Sequence, residues 1–460
     1  MPTIRLTVTG IAPSGAGIAF HDGYRVFVPG ALPGETVAAE VDAPARGVRS
    51  AVARSVQIEA ASPLRARTPC PALCRNPACG GCPLGLLEYE GQIPVKEALL
   101  RDALDAAGVL YPPPAPLIRP TAEELAGFRN KAVLYPVKDE DGWHFGMYAQ
   151  GTHALVREAG ACPQMPQWMR EAVSLAEASL GRSTLAPYDE AVLTGDVRAI
   201  LLREGIPAET ERLFTVVLRE MTPEAQKALK TLAADLAPIG LRGLCAGINA
   251  APGNAVLGRE IQVIAGSDAV QTRIGGLTFT VRPDTFLQVN TPQTARLYEQ
   301  ALQWAAIGPE DVFLDLYCGV GTLTLLGAKS AARAVGIDIV EASVERARAN
   351  AAMNGLENVV FEAGAVEKTL PALMKTGLKP TVAIVDPAFR GMDETVPGLL
   401  SELPLKRLVY VSCSPQSFAR DAQRLQKLGW TIEKLVPVDL FPGARHVETA
   451  ALFTRKRTDA

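Results

Sequence analysis

The chain has no hydrophobic run long enough to cross a membrane: no stretch of about eighteen uncharged apolar residues occurs in its 460 positions. The opening MPTIRLTVTG also lacks the basic start and apolar stretch of a secretory signal, so the cytoplasm is the expected location. An excess of positive charge is missing too. Lys and Arg number 46 against 49 Asp and Glu, a net charge of -3, which excludes a general nucleic-acid binder with a strongly basic face. Any nucleic-acid site must be local, built from scattered residues such as Arg129 and Lys131; the closing Arg455, Lys456 and Arg457 read as a solvated tail. Internal repeats and low-complexity tracts are absent. The 48% hydrophobic and 21% charged residues are ordinary for a globular protein, and the length exceeds what one core holds.

Eight cysteines are present, and four of them, Cys70, Cys74, Cys79 and Cys82, fall within thirteen residues. In a long chain without an export signal, such crowding points to metal or iron-sulfur ligation rather than to disulfides. Cys162, Cys245, Cys318 and Cys413 are dispersed.

Three textures follow one another. Residues 1–62 alternate apolar and polar positions in short runs broken by PSGAG, HDG and ALPGE, the pattern of a small OB-like β-barrel. Phe20, Tyr24 and Phe27 there are either base-stacking groups or barrel filling. Residues 63–272 hold the cysteine loop, then IPVKEALLRDALDAAG, whose apolar spacing predicts an amphipathic helix near 93–110 that packs on the catalytic unit. Beyond the proline-rich YPPPAPLIRP, strands and helices mix, which predicts an α+β central domain. In residues 273–460 the runs VFLDLY, AVGIDI, VVFEAG, VAIVDP and RLVYVS are separated by helix-length segments, as in a largely parallel, Rossmann-like sheet. The whole is a multidomain α/β chain, and ligands of such a sheet sit at the carboxyl ends of its strands.

Chemistry-bearing residues stand at those ends. Asp315 to Thr322, DLYCGVGT, follows a strand and opens a helix, and Gly319 and Gly321 let the backbone approach a nucleotide-like ligand. Asp338 ends the next strand, where a carboxylate accepts from both ribose hydroxyls. Thr324 replaces the third glycine of the dinucleotide fingerprint, and Asp315 would repel a pyrophosphate, so S-adenosylmethionine fits better than NAD. Asp386 begins DPAFRG at the rim of the same pocket. Cys413 closes the strand RLVYVS just before Ser414 and Pro415, where a thiolate reaches substrate; the bland alternative is a small core residue. Glu448, in HVET, is placed as a general base. Together these suit one reaction. A thiolate added at C6 of uracil makes C5 nucleophilic toward a methyl sulfonium, and a base then removes the C5 proton.

FLQVN at 286–290, DLYCGVGTLTL at 315–325, DPAFRG, YVSCSP and HVETAALF occur in the order that resembles RNA uracil-5-methyltransferases, over the whole chain. The first 60 residues, with VFVPGALPGE, are similar to the TRAM RNA-binding barrel, and CGGC with Cys162 is similar to that family's [4Fe-4S] site. The combination most resembles members acting on 23S ribosomal RNA. The resemblance implies an S-adenosylmethionine-dependent class I methyltransferase with Cys413 as nucleophile and Glu448 as base. It implies further that Gln288, Tyr317, Asp338 and Asp386 contact the cofactor, and that Cys70, Cys79, Cys82 and Cys162 ligate the cluster. Cys70 is preferred to Cys74 because Pro69-Cys70-Pro71 matches the family locally, although neither spacing to Cys79 is the usual one. Zinc would accept the same thiolates. Ser414 and Phe389 depart from the family's usual Asn and Arg. The partner is then RNA, ribosomal rather than transfer RNA, with no membrane and a monomeric enzyme. Rival readings are a cytosine-5 RNA methyltransferase, which would carry a cysteine where Ala388 stands, an amino-group methyltransferase, and a non-catalytic RNA-binding iron-sulfur protein.

Overall fold

In a computed structural model, residues 3–12, 14–42, 44, 47–67, 70–75, 78–253 and 255–455 are described; Pro69, Lys456 and Arg457 lie outside them. The first sheet has six short strands ordered Thr3–Thr7, Thr36–Val41, Ser50–Ala60, Tyr24–Val28, Gly17–His21, Gly10–Ile11. It curls until its first strand meets Gly17–His21, and the alternate inward residues Leu6, Val26, Val28 and Val37 fill it. The three aromatics part company here. Phe20 is 63% exposed, Tyr24 packs on the barrel core, and Phe27 lines a groove shared with Cys79 and Cys82.

A second, seven-stranded sheet runs Glu260–Gly266, Gly243–Ile248, Arg212–Leu218, Val197–Glu204, Lys131–Asp139, Gly142–Tyr148, Leu155–Val156. Helices Gln167–Gly181 and Pro223–Asp235 cover it, burying Trp168, Phe145 and Phe214. The hairpin Val270–Ile274/Leu277–Val281 straddles residue 272, where the sequence suggests a boundary, and packs into the core of the third sheet.

The third sheet carries the site. Its strands are β1 Val312–Leu316, β2 Arg333–Asp338, β3 Val359–Ala363, β4 Val382–Val385, β5 Arg407–Ser412, β6 Trp430–Val438 and β7 Glu448–Arg455, in spatial order 3-2-1-4-5-7-6. β1, β4 and β5 are buried along nearly their whole length, as strands covered by helices on both faces must be. The order reverses between β1 and β4, which opens a crevice at their carboxyl ends. β7 alone runs antiparallel, between β5 and β6.

The predicted amphipathic helix spans Tyr89–Ala106 and packs on the third sheet: Leu100 and Leu104 enter its core. Lys96, fully buried, donates to Asp439 Oδ1 at 2.5 Å and to the Phe441 carbonyl at 2.9 Å. This ion pair ties the helix to the segment leading into β7.

Candidate active site

β1 ends in a glycine turn. Tyr317, at φ 67°, holds the left-handed backbone that non-glycine residues rarely adopt, a strain that accumulates at functional sites. Its N–H and that of Cys318 both donate to the Ile337 carbonyl at the end of β2, while the Tyr317 ring packs toward the apolar layer. Gly319 also has positive φ, and a Cβ there would meet nothing within 4 Å, so the space before it is open. Gly321, in contrast, is needed for close packing on Phe361 and Ala347. Asp338 at the end of β2 accepts from Gly319 N–H at 2.9 Å through one oxygen and from Val340 N–H at 2.8 Å through the other. Each oxygen keeps a lone pair for a ligand. Ile339 and Val340 beside it are exposed apolar residues.

Asp315 is buried, accepts from Thr324 Oγ1 at 2.5 Å, and leaves Oδ1 without a partner among the described residues. Burial, opposed by the Thr324 hydrogen bond and reinforced by Asp386, pushes its carboxyl up to about 8. Thr324, which breaks the dinucleotide fingerprint, therefore holds the acid. Asp386 at the end of β4 is raised by burial to about 7. Buried Tyr298, on the helix Thr291–Ala305, faces Asp386, Asp315 and Glu448. Orphaned carboxyl oxygens in an acid-lined pocket suit a cationic ligand such as a sulfonium with an ammonium, and disfavour a pyrophosphate.

Cys413 sits just past β5, half-buried. The antiparallel register pairs Ser412 with Thr449, which sets Cys413 against Glu448, the first residue of β7. Glu448 is 1% exposed and its Oε2 has no partner among the described residues. Burial, then the charge of Asp386, holds its carboxyl well above the usual range. Burial first, then the carboxylates of Glu448 and Asp386, pushes the Cys413 thiol up to about 12. Ser414, the departure from the family's asparagine, caps the helix Pro415–Lys427 by accepting from Ser417 N–H at 3.3 Å. Serine serves that position as well as asparagine.

Gln288 is half-buried, and its carbonyl accepts from Asn130 Nδ2 at 2.8 Å; no contact joins it to Cys413, Asp386 or Glu448 among the described residues. Aromatic residues stand exposed on the FLQVN and DPAFRG segments. Phe286 is 69% and Phe389 56% exposed, and His446 lies edge-on to both Phe389 and Phe441. Lys131 pairs in register with Arg203, and burial beside that guanidinium lowers its ammonium to about 8. The sequence signals no link between these two cations.

Buried Asp421 orders the DPAFRG loop, accepting from Met392 N–H at 2.7 Å and Tyr410 OH at 2.9 Å. Arg420 donates to the Arg390 carbonyl at 2.6 Å.

The four cysteines chosen as cluster ligands converge. Cys70, Cys79, Cys82 and Cys162 line one small cavity with Arg129 and Gln164. Cys74 is exposed and stays outside it. Gln164 Nε2 donates to Cys82 Sγ at 3.1 Å and to the Pro442 carbonyl at 2.7 Å. The four thiols make an all-sulfur donor set in one cavity, chemistry that suits an iron-sulfur cluster or a zinc ion alike.

A doubly wound sheet whose strand ends gather a glycine turn, buried acids and a half-buried thiol defines a nucleotide-cofactor transferase. Residues 262–456 match the family of tRNA (Uracil-5-)-methyltransferases, and residues 2–50 match the TRAM domain. An RNA methyltransferase of Oceanobacillus iheyensis, itself uncharacterized, is 31% identical over 453 residues, 98% of this chain and 96% of its own. A second, of Listeria monocytogenes, is 32% identical over 451 residues, 98% and 97%. The chain belongs to the RNA uracil-5-methyltransferase family. Its fold is shared with the tRNA (uracil-54, C5)-methyltransferase of Pyrococcus abyssi crystallised with S-adenosyl-L-homocysteine, at a TM-score of 0.76 and 22% identity, covering 98% of this chain and 99% of that one.

Proposed function

We propose that this enzyme methylates C5 of a uridine in RNA through a transient bond between Cys413 and C6. The observation that carries this reading is the ladder of β5 and β7, which sets the thiol of Cys413 against the buried carboxyl of Glu448. Cys413 forms the S–C6 bond, giving up its proton to solvent, and C5 becomes electron-rich. S-adenosylmethionine supplies the electrophilic methyl group on a sulfonium. Glu448 then takes the C5 proton, and the S–C6 bond breaks to restore the ring and the thiol. Asp338 holds the ribose of the cofactor, while Gln288, Tyr317 and Asp386 complete its pocket. Phe286 and Phe389 stack against the unpaired target base.

The preferred substrate is 23S ribosomal RNA, on the TRAM barrel and cysteine set together; the second reading, transfer RNA, is favoured by the names of the matching family and of the Pyrococcus structure. The enzyme acts in the cytoplasm as a monomer. Cys70, Cys79, Cys82 and Cys162 would hold a [4Fe-4S] cluster, which has no redox step to perform in methyl transfer and stiffens the joint between sheets. Residues 1–62 form the RNA-binding unit and 63–272 the central one, save that the hairpin Val270–Ile274/Leu277–Val281 belongs with the catalytic unit that runs on to residue 460.

Trapping with 5-fluorouridine-containing RNA tests the mechanism, because fluorine at C5 cannot leave as a proton: a covalent adduct at Cys413 is expected. Absence of the adduct, with cofactor binding intact, sinks the mechanism. Comparing 5-methyluridine in ribosomal and transfer RNA of cells with and without the gene decides the substrate. Anaerobic purification with iron, sulfide and zinc analysis tests the cluster, and a colourless zinc protein overturns it.

A further inference from the structure

A cavity of about 950 Å³ lies not at the catalytic strands but on the central sheet. Its walls are aromatic. Tyr135 and Tyr148, from neighbouring strands, pack directly on each other with ring centroids 4.4 Å apart and form one side of it. His153 stands edge-on to Tyr148 at 5.5 Å. Tyr188 forms the far wall, with the Arg198 guanidinium 4.5 Å over its ring.

The charges in this groove do not suit a phosphate. Arg198 is buried and its nitrogens are engaged: NH1 donates to the carbonyls of Asn249 at 2.8 Å and Ala251 at 2.6 Å, and NH2 to that of Gly253 at 3.2 Å. It makes a rigid plate rather than an anion receptor. Asp189 and Glu190 line the cavity as well, with Lys138 at its edge. Glu190 lies 3.3 Å from His153 Nδ1. Burial first, then the Glu190 charge, holds the Tyr148 phenol at about 12, and the same two causes raise that of Tyr135. A carboxylate thus lines the same cavity as the aromatic rings.

Stacking plates bind any nucleobase. The carboxylate selects among them, because it only accepts hydrogen bonds. The amino groups of cytosine, adenine and guanine donate to it, whereas the uracil edge sets two carbonyl acceptors about a single N–H and is repelled. The strand Lys131–Asp139 connects this groove to the FLQVN segment that leads into the catalytic unit: Asn130, just before it, donates to the Gln288 carbonyl and to Thr291 Oγ1, both at 2.8 Å. Tyr135 lies five residues further, about 17 Å along a strand.

We infer that the groove walled by Tyr135, Tyr148, His153 and Tyr188 binds an unstacked, amino-bearing base of the RNA substrate, near the target uridine but distinct from it, with Glu190 reading its amino group. The inference rests on the proposed RNA-methylating function and names a second contact point for the same substrate.

The test uses the full chain and two fluorescein-labelled single-stranded RNAs, ACACAC and UUUUUU, read by anisotropy, with Tyr148→Ala, Tyr148→Phe and Glu190→Gln variants. Tyr148→Ala is expected to weaken ACACAC binding about tenfold to a hundredfold, as loss of one base stack does, and Tyr148→Phe to restore it. Glu190→Gln is expected to abolish the preference for ACACAC over UUUUUU. Ultraviolet cross-linking of ACACAC should label peptides containing Tyr135 or Tyr148. If Tyr148→Ala and Glu190→Gln, with unchanged thermal melting, bind both RNAs within twofold of the parent, the groove is not a base site and serves a protein partner or nothing. Methylation of total cellular RNA is measured in parallel. Loss of binding by the variants with no 5-methyluridine made even by the parent sinks the methyltransferase reading and leaves the groove standing, and the reverse sinks the groove alone.

Discussion

Replacing Glu448 by Gln keeps the shape of the side chain and removes both its charge and its capacity to take a proton. The carboxyl is 1% exposed with one oxygen unpaired, so the amide enters a site where water does not substitute for the lost base. Two effects are separable. A general base contributes about 10²- to 10⁴-fold to a rate, and turnover should fall by that much. After burial, the Glu448 carboxylate, once ionised, is the next cause of the raised Cys413 thiol. Removing that charge makes the thiolate easier to form, so alkylation of Cys413 by iodoacetamide shifts to lower pH. Addition to C6 is thus preserved or helped while elimination is blocked. The variant should accumulate an RNA–protein adduct stable to denaturing electrophoresis with ordinary uridine RNA and S-adenosylmethionine, in which C5 already carries the new methyl group. Turnover within tenfold of the parent, or the same slow turnover with no adduct, would refute Glu448 as the base acting after methyl transfer.

Three further outcomes are expected. Asp386, raised to about 7 by burial, is protonated below that pH and ionised above it. Affinity for S-adenosylhomocysteine, whose ammonium favours the ionised form, should therefore fall as pH drops below about 7, by at most about tenfold per pH unit; titration calorimetry between pH 5.5 and 8.5 checks this, and a flat profile, or one that Asp386→Asn leaves unchanged, refutes it. Lys96→Ala leaves Asp439 buried without its ion partner and should cost about 3–5 kcal/mol in chemical denaturation, whereas a loss under about 1 kcal/mol would show that the pair does not fasten the helix. Asp421→Ala deprives the Met392 N–H and the Tyr410 hydroxyl of their acceptor, at about 1–3 kcal/mol each, and should expose the 388–392 loop to limited proteolysis; unchanged cleavage argues that the loop holds itself.

The chemistry of each strand end was legible in the chain, because it is local. A strand is an apolar run, a glycine turn follows it, and an acid or thiol at its end faces the crevice whatever the rest of the chain does; Asp315, Asp338, Asp386 and Cys413 could each be placed on that basis. The cysteine loop and the helix around Lys96 were readable from spacing alone. Contacts between distant segments were not. No periodicity announces that Lys96 pairs with Asp439, 343 residues away, or that Tyr135, Tyr148 and Tyr188 line one groove. Nor does it show that β7 enters antiparallel and delivers Glu448 to Cys413. Residue type and near-neighbour spacing determine which element forms and what it can do; which elements meet depends on packing free energy summed over the whole buried surface, and only the folded chain settles that sum.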